Sequence, residues 1–196
     1  GMDNAAKQII NEKPTDRIPS RDECNKLMAQ YGMLPNIVAH SIKVMQVSLA
    51  IVDNLKNGSK INKDMVMAAS LLHDITKTRS LETKERHDAS GGALLREMGF
   101  ISVAAIVEQH VVLTNFNPRG ALDEREIVFY ADKRVMHDRI VTLDERVEDL
   151  LRRYGKTEEI RQRILQNLNS VYDIETKIVN LMKVDIQHAI RPISDN

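Results

Sequence analysis

Imidazoles and carboxylates set into apolar stripes of helical period constrain this chain more than any other feature. His40 shares a stripe with Ile37, Val44, Val47 and Ile51, at i−3, i+4, i+7 and i+11, so it faces a core rather than water. His110 shares a face with Val103, Ile106 and Val107, and Asp132 is ringed by Val128, Phe129, Val135 and Met136. His73 and Asp74 close an apolar helix, and His87 opens one whose Gly91-Gly92-Ala93 run lets another backbone approach closely. Taken alone, a buried histidine is more often a hydrogen-bonded core residue than a ligand, and Asp132 could pair with a buried arginine. Together the six need partners, because burying polar and charged groups alone is unfavourable. A metal ion or a pair of them would satisfy His40, His73, Asp74, His87, His110 and Asp132 at once. Imidazole with few carboxylates suits Fe, Mn, Co, Ni or Zn better than Ca or Mg alone, although Mg stays among the candidates.

Almost every segment has helical period and no alternating strand stands out, which predicts an all-α fold. Residues 1–19 are polar, hold Pro14 and Pro19, and read as an N-terminal arm. Ser20 with Glu23 forms a capping box for a helix to about Tyr31. Pro35 opens a second helix that stops near Asn57-Gly58, and Asn62 caps a third that ends at His73-Asp74. A polar loop is expected over 76–86, then helices over 87–98 and 102–111, and an irregular stretch over 114–120. A sixth helix starts near Asp123 and carries Ile127, Val128, Val135 and Met136. Thr142 caps a seventh that ends at Tyr154-Gly155, and the last runs from Thr157 to about His188, with Pro192 beyond it. The division expected is an arm over 1–19, a helical core over 20–136 and a C-terminal helical extension over 137–196. The last helix either packs on the core or offers a homodimer surface.

Bulk properties narrow the function. At 196 residues the chain can bury a real core as one domain. Its 28 basic residues balance 28 acidic ones, so no global field invites bulk nucleic acid. No apolar run is expected to span a bilayer, and no signal-peptide pattern is seen; Gly1 reads as a remnant ahead of Met2. The single cysteine, Cys24, forms no internal disulfide, reads as packing, and suits a cytoplasmic location.

The order His, His-Asp, Asp on helices resembles the HD superfamily of metal-dependent phosphohydrolases. Leu71-Leu72-His73-Asp74-Ile75-Thr76-Lys77 is similar to that family's HDIG-type signature, with Thr76 where glycine often stands. The dipeptide alone carries nothing, since His87-Asp88 and His137-Asp138 repeat it. The added His87 and His110 resemble the subset with dinuclear centres, and the resemblance covers about residues 35–136. The Gly-Tyr-Pro motif of cyclic-di-GMP phosphodiesterases is absent, and bacterial diadenosine tetraphosphate hydrolases of this type look closer. The resemblance implies an HD-type helical bundle in which His40, His73, Asp74 and Asp132 hold one metal. Asp74 would bridge to a second metal held by His87 and His110. It implies a metal-bound hydroxide attacking phosphorus, so Asp74 is catalytic through the metals and no side-chain nucleophile is needed. Lys77, beyond His73-Asp74, is expected to act in catalysis and substrate binding as a phosphate contact, with Lys133 a weaker one because one helical step turns it about 100° from Asp132. Arg119 reads as a surface loop residue, His137 as surface, and His188 as a helix-end residue. The expected partner is a small phosphate substrate, best a nucleotide. The alternatives are a non-catalytic metal- and nucleotide-binding regulatory domain, or a diiron oxygenase of HD type.

Overall fold

The structure, a computed structural model, describes residues 15–56 and 59–194. Most of the expected arm, and the Asn57-Gly58 stop, lie outside the described residues. Ten helices and one small hairpin follow in order among them. They are α1 (Arg21–Gln30), α2 (Pro35–Asp53), α3 (Lys63–Leu72), α4 (Lys77–Thr83), α5 (His87–Glu97), α6 (Ile101–Val107), α7 (Glu124–Lys133), β1 (Val135–Met136), β2 (Arg139–Ile140), α8 (Leu143–Tyr154), α9 (Glu158–Leu181) and α10 (Ile186–Ser194). The fold is all-α, as the periodicity predicts.

Local chemistry sets the helix starts. Ser20 and Glu23 form the capping box of α1, Asn62 accepts from the Met65 amide at α3, and Asp123–Glu126 and Thr142–Glu145 form boxes at α7 and α8. Pro35 occupies the first turn of α2, where its missing N–H costs nothing. The core gathers around α2, α3 and α7, which pack on one another, with α6 against α3 and α7 and α1 against α3. Val44, Val47, Ile51, Leu71, Leu72, Val103, Val107, Ile127 and Phe129 are fully buried there. By length and composition α2, at 19 residues, would suit a bilayer span, against the sequence expectation that no such run exists. Its apolar face is spent on this core.

Four departures from the sequence reading stand out. The expected loop over 76–86 contains α4, a helix of 7 residues closed by Lys84 in the left-handed region at φ 64°. The sixth helix stops at Lys133. Val135 and Met136 pair with Ile140 and Arg139 in a hairpin whose turn puts His137 at φ 57°. An apolar pair at i+3 and i+4 from Asp132 suits a strand facing the core as well as a helix stripe. The helix over 102–111 ends at Val107, so His110 sits on the following turn. The last helix breaks at Met182, where the chain turns extended and pairs with Leu55, and the Lys56 amide donates to the Leu181 carbonyl at 2.7 Å. Pro192 then lies inside α10 rather than beyond the helix.

The segment after residue 136 is tied to what precedes it by buried polar groups. Arg134, 2% exposed, donates to the Tyr130 hydroxyl (2.7 Å), the Val141 carbonyl (2.7 Å) and Gln187 Oε1 (3.2 Å). Tyr130 donates to Glu175 at 2.5 Å, and Lys177 meets Glu126 Oε2 at 2.8 Å. Leu168, Val171, Ile174 and Ile178 of α9 are buried against the body, while Leu165, Tyr172 and Val179 are exposed.

Candidate metal centre

Each inward side chain is delivered by a different piece of backbone. His40 comes from the middle of α2 and Asp132 from the last turn of α7. His73 and Asp74 come from the turn after α3, His87 from the first residue of α5, and His110 from the turn after α6. All six converge. His40 Nε2 lies 3.0 Å from Asp132 Oδ1 and 3.3 Å from His73 Nε2, and His73 Nε2 lies 3.3 Å from both Asp132 Oδ1 and Asp74 Oδ2. On the other side, His87 Nε2 and His110 Nε2 each lie 3.4 Å from Asp74 Oδ1 and 3.2 Å from each other. Two ligand groups result, His40–His73–Asp74 with Asp132 beside it, and Asp74–His87–His110, and Asp74 belongs to both.

The rings are held from behind. His40 Nδ1 donates to the His137 carbonyl at 2.7 Å, His73 Nδ1 to the Ser70 carbonyl at 2.6 Å, and His110 Nδ1 to the Val107 carbonyl at 2.7 Å. A main-chain carbonyl accepts only, so Nδ1 carries the proton and Nε2 keeps a lone pair aimed inward. Two such lone pairs facing each other at 3.3 Å, as in His40 and His73, repel unless a cation or a proton lies between them. The donor set therefore fits a metal, and nitrogen-rich ligation fits transition ions.

Without a metal, protons take that role. Burial pulls the His73 imidazole down, but the charge of Asp74 and the hydrogen bonds of Asp132 and Asp74 push it up to about 10. Burial would raise Asp74, yet His73, His110 and His87 hold it well below the usual carboxylate range. Asp132 is likewise raised by burial and brought far lower by the Lys133 charge and by His40. His110 stays low, chiefly through burial. His73 is fully buried while the His87 side chain is 26% exposed, so the cage opens on the His87 side.

Lys77 begins α4, half-buried, and its ammonium makes no ion pair among the described residues. Lys133 is elsewhere than its helix angle implies. Its four-carbon stem folds back, so that the buried ammonium donates to Asp132 Oδ2 at 2.7 Å and to the His110 carbonyl at 3.0 Å. Expected as a second phosphate contact, it is spent inside the protein. Arg119 and His137 are exposed as expected, and a cleft of about 560 Å³ beside the hairpin contains none of the six cage residues.

Four contributors escape a reading of the sequence. The His137, Ser70 and Val107 carbonyls are main-chain groups with no side-chain signature. Thr76, where the related signature often has glycine, donates its hydroxyl to the His87 carbonyl at 3.0 Å and so anchors the start of α5. Its departure from the motif is the one signal that marks the position.

An all-helical body carrying a buried His/Asp cage of this order defines the class of HD-domain proteins. The HD-domain family model matches residues 37–182, and the chain belongs to that family. The match crosses residue 136 and takes in α8 and α9. An uncharacterised protein of Methanocaldococcus jannaschii is 27% identical over 144 residues, covering 66% of this chain and 84% of that protein. No solved structure gives a significant match.

Proposed function

We propose that this chain is a metal-dependent phosphohydrolase acting on a small phosphate ester or anhydride, with a nucleotide as the best substrate class. The observation that carries the reading is the division of one carboxylate. Asp74 turns Oδ2 to His73 at 3.3 Å and Oδ1 to His87 and His110 at 3.4 Å, which suits a ligand shared by two cations. His40, His73, Asp74 and Asp132 would hold one ion, and Asp74, His87 and His110 the other. A bound pair of divalent ions supplies a water made acidic near neutral pH and positive charge for phosphoryl oxygens.

The remaining work falls to the protein. Main-chain carbonyls orient the imidazoles, and burial of His73, His110 and Asp74 keeps bulk water out of the cage. Lys77, three residues after Asp74 and in no ion pair among the described residues, would hold a phosphate as it enters. A phosphoryl transfer with a loose transition state asks for this kind of positioning and charge more than for a covalent nucleophile.

The test is a hydrolysis screen of metal-depleted protein reloaded with Mn, Fe, Co, Ni, Zn or Mg. Phosphomonoesters, phosphodiesters, nucleotides and dinucleoside polyphosphates form the panel, and released phosphate or mononucleotide is the readout. Turnover by the loaded protein, lost in His73→Ala and Asp74→Ala, is expected. Turnover unchanged in Asp74→Ala, or none across the panel with metal bound, overturns the reading.

A further inference from the structure

Lys133 ends α7 with its side chain 7% exposed, an expensive place for an ammonium unless it is fully engaged. Its Nζ lies 4.5 Å from the centre of the Phe129 ring, 2.7 Å from Asp132 Oδ2 and 3.0 Å from the His110 carbonyl. The two acceptors belong to opposite halves of the cage. Asp132 faces His40 and His73 with its other oxygen, Oδ1, at 3.0 and 3.3 Å. His110 carries its Nε2 to Asp74 Oδ1 at 3.4 Å, in the second group. One ammonium thus grips the carboxylate of one ligand group and the main chain of the other.

We propose that Lys133 is a positioning residue: it makes Asp132 present a single oxygen inward and fixes the His110 turn against it, so that two cations load as a pair. The proposal rests on the metal reading above. Neutralising Asp132 takes only the contact to Oδ2; the bond to the His110 carbonyl, which also satisfies the buried ammonium, joins the halves. Without Lys133, Asp132 is free to swing both oxygens toward the first ion, and the His110 carbonyl loses its tie to the other half.

The sign of the effect separates positioning from charge. Deleting a positive charge beside a cation site, taken alone, tightens cation binding. Loss of the tie weakens the second ion, by about tenfold or more, as for other groups that orient metal ligands. Metal-free protein is titrated with Mn(II) by calorimetry, and the loaded protein is examined by electron paramagnetic resonance. The wild type should bind two ions and give the spectrum of a spin-coupled pair. Lys133→Met, folded by circular dichroism, should keep one tight ion, bind the second more weakly and show isolated Mn(II). Lys133→Arg, which keeps the charge and offers several donors, should restore the coupled spectrum. Should the Met variant not fold, Lys133→Gln, which removes the charge and ends a shorter side chain in an amide NH2, carries the same comparison. Wild-type stoichiometry, affinity and coupling in the neutral variant overturn this inference and leave the phosphohydrolase reading standing. A wild type that takes up no Mn(II) pair overturns this inference, whatever the variants do, while the phosphohydrolase reading stands or falls on the hydrolysis screen.

Discussion

His40 and Asp132 are 92 residues apart in the chain and 3.0 Å apart in space, Nε2 against Oδ1. That contact closes α2 on α7, and the other oxygen of Asp132 is held by Lys133 at 2.7 Å. Asp132→Ala should therefore cost more than a lost ligand, since it strands a buried ammonium. Breaking a buried pair from one side costs about 3–5 kcal/mol. Asp132→Asn keeps an acceptor oxygen and should cost less. Urea unfolding of the metal-free proteins measures both. A loss under about 1 kcal/mol for the alanine variant, the scale of an exposed pair, would contradict the burial argument.

Metal uptake should release protons. An unperturbed imidazole titrates near 6.5, and His73 in the metal-free fold titrates at about 10 because Asp74 and Asp132 outweigh its burial. A raised folded value means that the protonated ring stabilises the metal-free fold fully below about pH 6.5, and that this contribution fades as pH rises through about 10. A metal must displace that proton, so at pH 8 binding should free about one proton from this ring. Calorimetric titration in buffers of different ionisation enthalpy reads the number. Heats that do not depend on the buffer would contradict the assignment.

The pair of Lys177 and Glu126 joins α9 to α7, with Nζ 2.8 Å from Oε2 and Glu126 2% exposed. Nζ also donates to the Asn117 carbonyl at 2.8 Å, which ties down the irregular loop. Lys177→Met alone should destabilise the protein by about 3–5 kcal/mol, and the double variant with Glu126→Gln should recover much of it. Additive losses in a double-mutant cycle would show that the two residues do not act as a pair.

Gly92 faces Glu108, and a methyl group there would run into the Glu108 side chain. That side chain also receives Arg96 in two hydrogen bonds, at 2.6 and 2.9 Å. Gly92→Ala should push Glu108 aside and lower stability by about 1–3 kcal/mol, the usual scale for overpacking. Thermal unfolding checks this, and a rise in Tm would mean that Glu108 moves away without loss.

Side-chain periodicity makes the cage legible in the sequence. His40 and Asp132 lie where a stripe of period 3.6 turns inward, and capping residues such as Ser20, Asn62 and Thr142 mark helix starts. What stays hidden has physical causes. The His137 carbonyl works through a backbone bend at φ 57°, and backbone groups leave no trace in residue type. Val135 and Met136 satisfy a helix stripe and a strand facing the core equally well. Counting angles per residue places Lys133 away from Asp132, because a flexible stem reaches where its Cα does not point. The break at Met182 depends on a pairing with Leu55, far away along the chain.

Anomalous diffraction from crystals loaded with Mn(II) tests the central claim most directly. Two peaks are expected, one among His40, His73, Asp74 and Asp132 and one among Asp74, His87 and His110, with Asp74 touching both. Absence of metal density between these side chains at full loading, or ions bound only elsewhere, would contradict the account.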